Sequence, residues 1–162
     1  MVTNCGFCRN SHLFTTNRQI NNSNFEIRMT KVKLIECPRD AMQGIKAFIP
    51  TSLKVKYIQS LLGCGFDTID FGSFVSPKAI PQMIDTAEVL SMLDLTKTSS
   101  KLLAIVANVR GATDASKHKE IDYLGYPFSI SENFQMRNTH KTIAESVETL
   151  KTILQIAKST NK

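Results

Sequence analysis

Four short aliphatic runs, each followed by a stretch with helical spacing, narrow the folds open to this chain. Val32–Cys37, Phe66–Phe71, Leu102–Ala107 and Ile121–Leu124 read as strands, with Phe128-Ser129-Ile130 just beyond the fourth. Between them the spacing changes. Pro50-Thr51-Ser52 opens a helix, with a hydroxyl cap ahead of Leu53, Val55, Ile58, Leu61 and Leu62, and Gly63 is placed to close it. Asp85–Leu93 reads as a short amphipathic helix, and 112–119 as another. A long helix runs from Thr139 or His140 to about Ser159, with Ile143, Val147, Leu150, Ile153, Leu154 and Ala157 as its buried stripe.

The order β-α-β-α-β-α-β-α demands parallel strands joined by right-handed crossovers. The third run is almost wholly aliphatic, which predicts a strand covered on both faces. A doubly wound sheet and half of a (β/α)₈ barrel both satisfy this order, and periodicity does not choose. The polar residues do. Arg39-Asp40, Asp70 to Ser73, Asn108 to Arg110 and Ser129 to Ser131 each follow the end of a successive strand. That is where barrel enzymes carry their chemistry. No G-x-G-x-x-G follows the first strand, which argues against a dinucleotide fold. The expected architecture is α/β, a partial (β/α)₈ TIM barrel of about four β-α units.

The chain has 162 residues, of which 42% are hydrophobic and 21% charged, a globular balance. The net charge of +6 comes from scattered Lys and Arg, with no like-charged run of the kind that binds nucleic acid. No apolar run reaches the roughly 20 residues that a membrane-spanning helix needs. Residues 1–30 differ from the rest: they are rich in Asn, Ser and Thr, with Arg9, Arg18 and Arg28 against the single acid Glu26. They read as a disordered leader, either an organelle transit peptide or a stretch upstream of a true start at Met29. The catalytic domain is then 31–162, cytoplasmic unless the leader is a transit peptide. Cys5 and Cys8 have C-x-x-C spacing but no second ligand pair for zinc. Cys37 and Cys64 read as buried free thiols.

Arg39 and Asp40 carry the first chemical signal. Two adjacent charges at a strand end need partners, because desolvating them is costly. Asp40 suits a hard cation, Mg²⁺ or Mn²⁺, and Arg39 suits an oxyanion formed in a reaction. An ion pair or a surface turn would account for them equally at this stage. Glu36-Cys37-Pro38-Arg39-Asp40-Ala41-Met42-Gln43 then resembles the segment that ends the first strand in 3-hydroxy-3-methylglutaryl-CoA lyases. Gly72-Ser73-Phe74-Val75-Ser76-Pro77-Lys78-Ala79-Ile80-Pro81-Gln82-Met83 resembles that family more specifically. Ser131-Glu132 and Phe134-Gln135-Met136-Arg137-Asn138-Thr139 give a third match, and together the three span about 31–158 in order.

The resemblance, to the N-terminal half of a bacterial-type lyase, implies a divalent-metal-dependent TIM-barrel enzyme. Its reaction is retro-Claisen cleavage of 3-hydroxy-3-methylglutaryl-CoA to acetyl-CoA and acetoacetate, with a divalent cation as Lewis acid. It implies an acyl-CoA substrate, a homo-oligomer in the full-length enzyme, and a place in leucine degradation and ketone-body metabolism. By the same resemblance Arg39 supports the thioester oxygen and Asp40 is a metal ligand. Gln43, Ser73 and Asn138 are substrate-side residues, and Asp70 takes the place of a site glutamate, one methylene shorter. Ala41 stands where the family has glycine. These departures point to a divergent bacterial branch or a shifted acyl-CoA specificity.

The family's His-x-His pair and its G-x-G-G-C-P loop do not occur in the chain. His12, His118 and His140 form no such pair. The sequence therefore predicts a first half of the enzyme, inactive alone. A related Claisen-type synthase or aldolase of the same superfamily, and a non-catalytic half-barrel, remain the alternatives.

Overall fold

A computed structural model describes residues 32–162, and the readings of the leader, Cys5-Cys8 and His12 lie outside them. Four parallel strands form one sheet: β1 (Ile35–Glu36), β2 (Thr68–Ser73), β3 (Lys101–Ile105) and β4 (Tyr123–Gly125). Their spatial order is β1-β2-β3-β4, the order of the sequence. A doubly wound sheet reverses its order at a switch point, whereas a barrel wall does not. The sheet is thus a run of barrel wall, as the strand-end polar residues imply.

Among the described residues six helices of the α type follow in chain order: α1 (Pro38–Gln43), α2 (Thr51–Leu62), α3 (Thr86–Ser91), α4 (Val109–Ser116), α5 (Glu132–Thr139) and α6 (Ile143–Ser159). A 3₁₀ turn at Pro81–Met83 precedes α3. The core lies between the sheet and its crossover helices, where Ile58, Ile69, Leu102, Ala104 and Ala112 are almost fully buried. Every residue of β2 is buried. In β3, Leu102 and Ala104 are buried while Leu103 and Ile105 are half-buried. The third strand is therefore covered fully on its helix side only, not on both faces as its composition predicts. The half-covered side is the face that a barrel turns inward.

Local structure departs from the sequence reading at five points. The first strand is two residues long, because Pro38 sits at N1 of α1 and turns the chain into a short helix. Helix α2 has the expected bounds, but no hydroxyl caps it: the residue before it is Pro50, and the Thr51 hydroxyl donates instead to Asp85 at 2.8 Å. The long C-terminal helix is two helices. His140 takes a left-handed conformation (φ 54°) that ends α5, and Thr142 and Glu145 form a capping box that starts α6. The buried positions of α6 are Ser146, Thr149 and Ile153, while Leu154 is 51% exposed. Cys37 and Cys64 are free, as expected, but exposed.

The segment from Ser73 to Met83 is held by its own Gln82 and by close packing against α4. Gln82 is buried and clamps the loop after α1: it accepts from the Ile49 N–H at 2.8 Å and donates to the carbonyls of Ile45 and Ala47 at 2.9 Å each. Lys54 of α2 is 2% exposed and pairs with Asp85 at 2.6 Å. Its ammonium also lies 4.1 Å from the Phe48 ring centroid. Gly111, in the first turn of α4, meets the Phe74 carbonyl so closely that a Cβ there would collide with it. Asn108 caps that helix by accepting from the Gly111 N–H at 2.8 Å. No helix among the described residues is long and apolar enough to cross a membrane.

Candidate active site

The register of β1 on β2 pairs Glu36 with Ile69. Three residues after Glu36, the first turn of α1 brings Arg39 to Asp70. The Arg39 Nε lies 3.1 Å from both Asp70 carboxylate oxygens, and Nη2 lies 2.7 Å from Oδ2. The pair is shielded: the Asp70 side chain is 6% exposed and that of Arg39 13%. The other arm of the guanidinium, Nη1, donates to Gln43 Oε1 at 2.8 Å and to Asp40 Oδ1 at 3.2 Å. Gln43 then donates to Asp40 Oδ1 at 2.9 Å. Residues 39, 40 and 43 can meet because they lie within one helical turn.

Burial pushes the Asp70 carboxyl above the ordinary carboxylate range, against the pull of the Arg39 hydrogen bonds and charge. Burial acts on Arg39 in the opposite sense, but Asp70 outweighs it and holds the guanidinium proton more tightly than usual. Partial desolvation raises the thiol of the exposed Cys37, and the charge of Asp70 adds to it. The network is an arginine fixed on one side by a buried carboxylate, with an exposed carboxylate and an amide beside it. Such an arginine is pre-organised to meet an oxyanion, since its fork need not be ordered when the charge develops.

Arg39 and Gln43 line a cavity of about 480 Å³ whose wall continues through Ile105, Tyr126, Arg137 and Asn138. Ile105 and Gly125 are the last residues of β3 and β4, so the cavity lies at the C-terminal ends of the strands. The structure thus brings together Arg39, Asp40, Gln43 and Asp70, with Asn138 on the same cavity as Arg39. The Asn138 amide donates to the Phe134 carbonyl at 2.8 Å. Ser73 is not among the residues lining this cavity. It is 2% exposed and lines a neighbouring one of about 180 Å³ with Thr86 and Arg110. Its hydroxyl has no hydrogen-bond partner among the described residues.

Two wall residues escape the sequence reading. Arg137 lies beside Asn138 in the third matching segment, and Tyr126 directly follows β4. A fourth strand that ends at Gly125 rather than Leu124 puts Tyr126 at the strand end. Divalent cations of the Mg²⁺ class take about six oxygen ligands. Asp40 offers one exposed carboxylate whose Oδ2 makes no hydrogen bond among the described residues, and Asp70 is engaged by Arg39. No group of three or more His, Cys, Asp or Glu side chains converges among the described residues. These residues do not by themselves make a divalent-cation cage.

No family model matches the chain. It is 34% identical over 147 residues to the mitochondrial hydroxymethylglutaryl-CoA lyase of Macaca fascicularis, covering 89% of this chain and 44% of the relative. It is 33% identical over 129 residues to a 3-hydroxy-3-isohexenylglutaryl-CoA/hydroxy-methylglutaryl-CoA lyase of Pseudomonas aeruginosa, covering 79% of this chain and 42% of the relative. Among solved structures it matches a hydroxymethylglutaryl-CoA lyase of P. aeruginosa with a TM-score of 0.73 and 32% identity, over 81% of this chain and 43% of that one. An HMG-CoA lyase from Acinetobacter baumannii, in complex with coenzyme A and 3-methylmalate, matches with a TM-score of 0.73 and 30% identity over 78% and 41% of the two chains. The chain spans less than half the length of each of these relatives. In sequence and in fold, it resembles the N-terminal half of the hydroxymethylglutaryl-CoA lyases, its four-stranded sheet matching the first half of their (β/α)₈ barrel.

Proposed function

We propose that this chain supplies one wall of a lyase site that cleaves 3-hydroxy-3-methylglutaryl-CoA to acetyl-CoA and acetoacetate. The observation that carries the reading is the Arg39–Asp70–Asp40–Gln43 network on the cavity at the strand ends. In the reaction, the substrate's tertiary hydroxyl loses its proton and becomes a ketone. The bond from that carbon to the carbon beside the thioester breaks, and its electron pair passes to the thioester as an enolate. A proton then adds to the enolate carbon and gives acetyl-CoA.

In this reading Arg39 meets the enolate oxygen with its guanidinium, in the way a fixed donor stabilises developing charge. Asp70 is the residue that positions Arg39, since its carboxylate is engaged by it at three contacts. Gln43 and Asn138 are substrate-side amides, with Ser73 on the adjoining cavity. Asp40 is the described residue that suits a divalent cation, Mg²⁺ or Mn²⁺. The described residues do not complete a cage for it. The acyl-CoA substrate and an assembly of several copies belong to the same proposal.

A chimera in which residues 32–162 replace the matching segment of a bacterial lyase tests this. It is expected to release acetoacetate, and Arg39→Met within it to lower kcat/KM by about 10²–10³. The 162-residue chain alone is expected to release none, because the described residues beside Arg39 offer a metal one exposed carboxylate, Asp40. Cleavage unaffected by Arg39→Met, or acetoacetate from the chain alone, would refute the reading.

A further inference from the structure

The sheet has two open edges among the described residues. β1 and β4 each have one strand neighbour, so the outer side of each presents backbone N–H and C=O groups that no described strand meets. Open edges of this kind are templates for another chain. Both are also apolar. Val32, Leu34 and Ile35 are exposed in and just before β1, and Tyr123, Phe128 and Ile130 in and just beyond β4. The register sets Leu103 beside Tyr123 and Ile105 beside Gly125 on the half-covered inward face.

Charge decides what fits these edges. Lys33 stands two residues before β1, Asp67 one before β2, Lys101 opens β3, and Asp122 stands one before β4. Around the N-terminal rim of the sheet the signs therefore alternate. Lys33 meets Asp67 at 3.6 Å, and Lys101 meets Asp122 at 3.0 Å. The rim thus ends on a lysine at the β1 edge and on a carboxylate at the β4 edge, both reached by solvent. Each edge matches the other in strand direction and in sign. One operation satisfies both at once, a half turn about the barrel axis. It lays β1 of a second copy beside β4 of the first, and β4 of the second beside β1 of the first. Four strands from each copy make the eight of a (β/α)₈ wall, and closure removes both edges.

We propose that a second copy of this chain closes the sheet into an eight-stranded barrel, with Lys33 of each copy beside the other's Asp122. The two junctions are identical, and the alternation of charge runs unbroken around the rim. The inference goes beyond the lyase reading and does not depend on it, because it uses the sheet edges and not the Arg39 network.

Sedimentation velocity of the full 162-residue chain tests this. The native chain is expected to run with the mass of two chains and to dissociate to one on dilution. Lys33→Glu and Asp122→Lys each set like charges together at both junctions, and each alone is expected to weaken the dimer by about tenfold or more. Far-UV circular dichroism verifies that both variants fold. An equimolar mixture of the two variants forms one charge-swapped junction and one native junction, so it is expected to regain the native dimer. A native chain that stays monomeric at every concentration would overturn the proposal. Open-ended species larger than two chains, a dimer that neither substitution weakens, or no recovery in the mixture would do the same. Displacement of the second copy by an equimolar second half of a bacterial lyase would also overturn it. The two readings fail separately. An active chimera with a monomeric native chain sinks this inference alone. A charge-dependent dimer with an inactive chimera sinks the lyase reading alone.

Discussion

Replacing Arg39 by Met strips Asp70 of its counter-charge. In the native chain that carboxylate is 6% exposed and has three contacts of 2.7–3.1 Å to the guanidinium. Breaking a buried pair from one side leaves an uncompensated buried charge, which costs about 3–5 kcal/mol. The lost contacts to Asp40 add little, because that carboxylate is 65% exposed. With a urea slope of about 1.5–2 kcal/mol/M for a chain of this size, the unfolding midpoint should fall by about 2–3 M. Arg39→Met/Asp70→Leu removes both charges and should recover most of the loss, since an apolar pair of similar volume is often neutral or better. Acidification should shrink the single variant's deficit as Asp70 takes up a proton. Urea unfolding of native, single and double variants at two pH values measures all of this. A single variant that loses less than about 1 kcal/mol, or a double variant no more stable than the single, would refute the claim that Asp70 depends on Arg39.

Two further outcomes follow from the same geometry. Native Asp70 has its carboxyl raised by burial, so the folded chain holds a proton there at pH values where the unfolded chain has lost it. Stability should therefore fall as pH rises from the ordinary carboxylate range through the raised Asp70 value, and Asp70→Asn should flatten that limb in a series of urea midpoints. Gln82→Leu removes three hydrogen bonds that hold residues 45–49, which should cost about 2–3 kcal/mol and open that loop to proteolysis. An unchanged cleavage rate in the loop would show that Gln82 is not its clamp.

Much of this fold can be read along the chain because its signals are local. Helix α2 is marked by Pro50, an apolar face and Gly63, and all three act within a few residues of one another. The sheet's parallel character follows from the alternation of aliphatic runs and helices. What escapes the sequence is whatever depends on a remote neighbour. The break at His140 is a case. The Gln135 amide reaches Ser146 Oγ at 2.7 Å and its carbonyl oxygen accepts from the Ser129 N–H at 2.9 Å, which ties α5 to α6 and to the loop before it. Thr142 and Glu145 then form the capping box that starts α6. Leu154 fits the apolar spacing of α6 and is exposed, because the covered stripe of a helix is set by what packs on it.

The sequence by itself determined the strand-and-helix order and set Arg39-Asp40, Asp70 to Ser73, Asn108 to Arg110 and Ser129 to Ser131 after successive strands. Only the tertiary structure decided how those groups are spent. The register of β1 on β2 joins Arg39 to Asp70 across 31 residues and makes that acid the anchor of an arginine. The same sheet brings Tyr126 and Arg137 onto the cavity that Arg39 lines. Charges meet or stay apart according to strand register and helix placement, and no local spacing rule contains either.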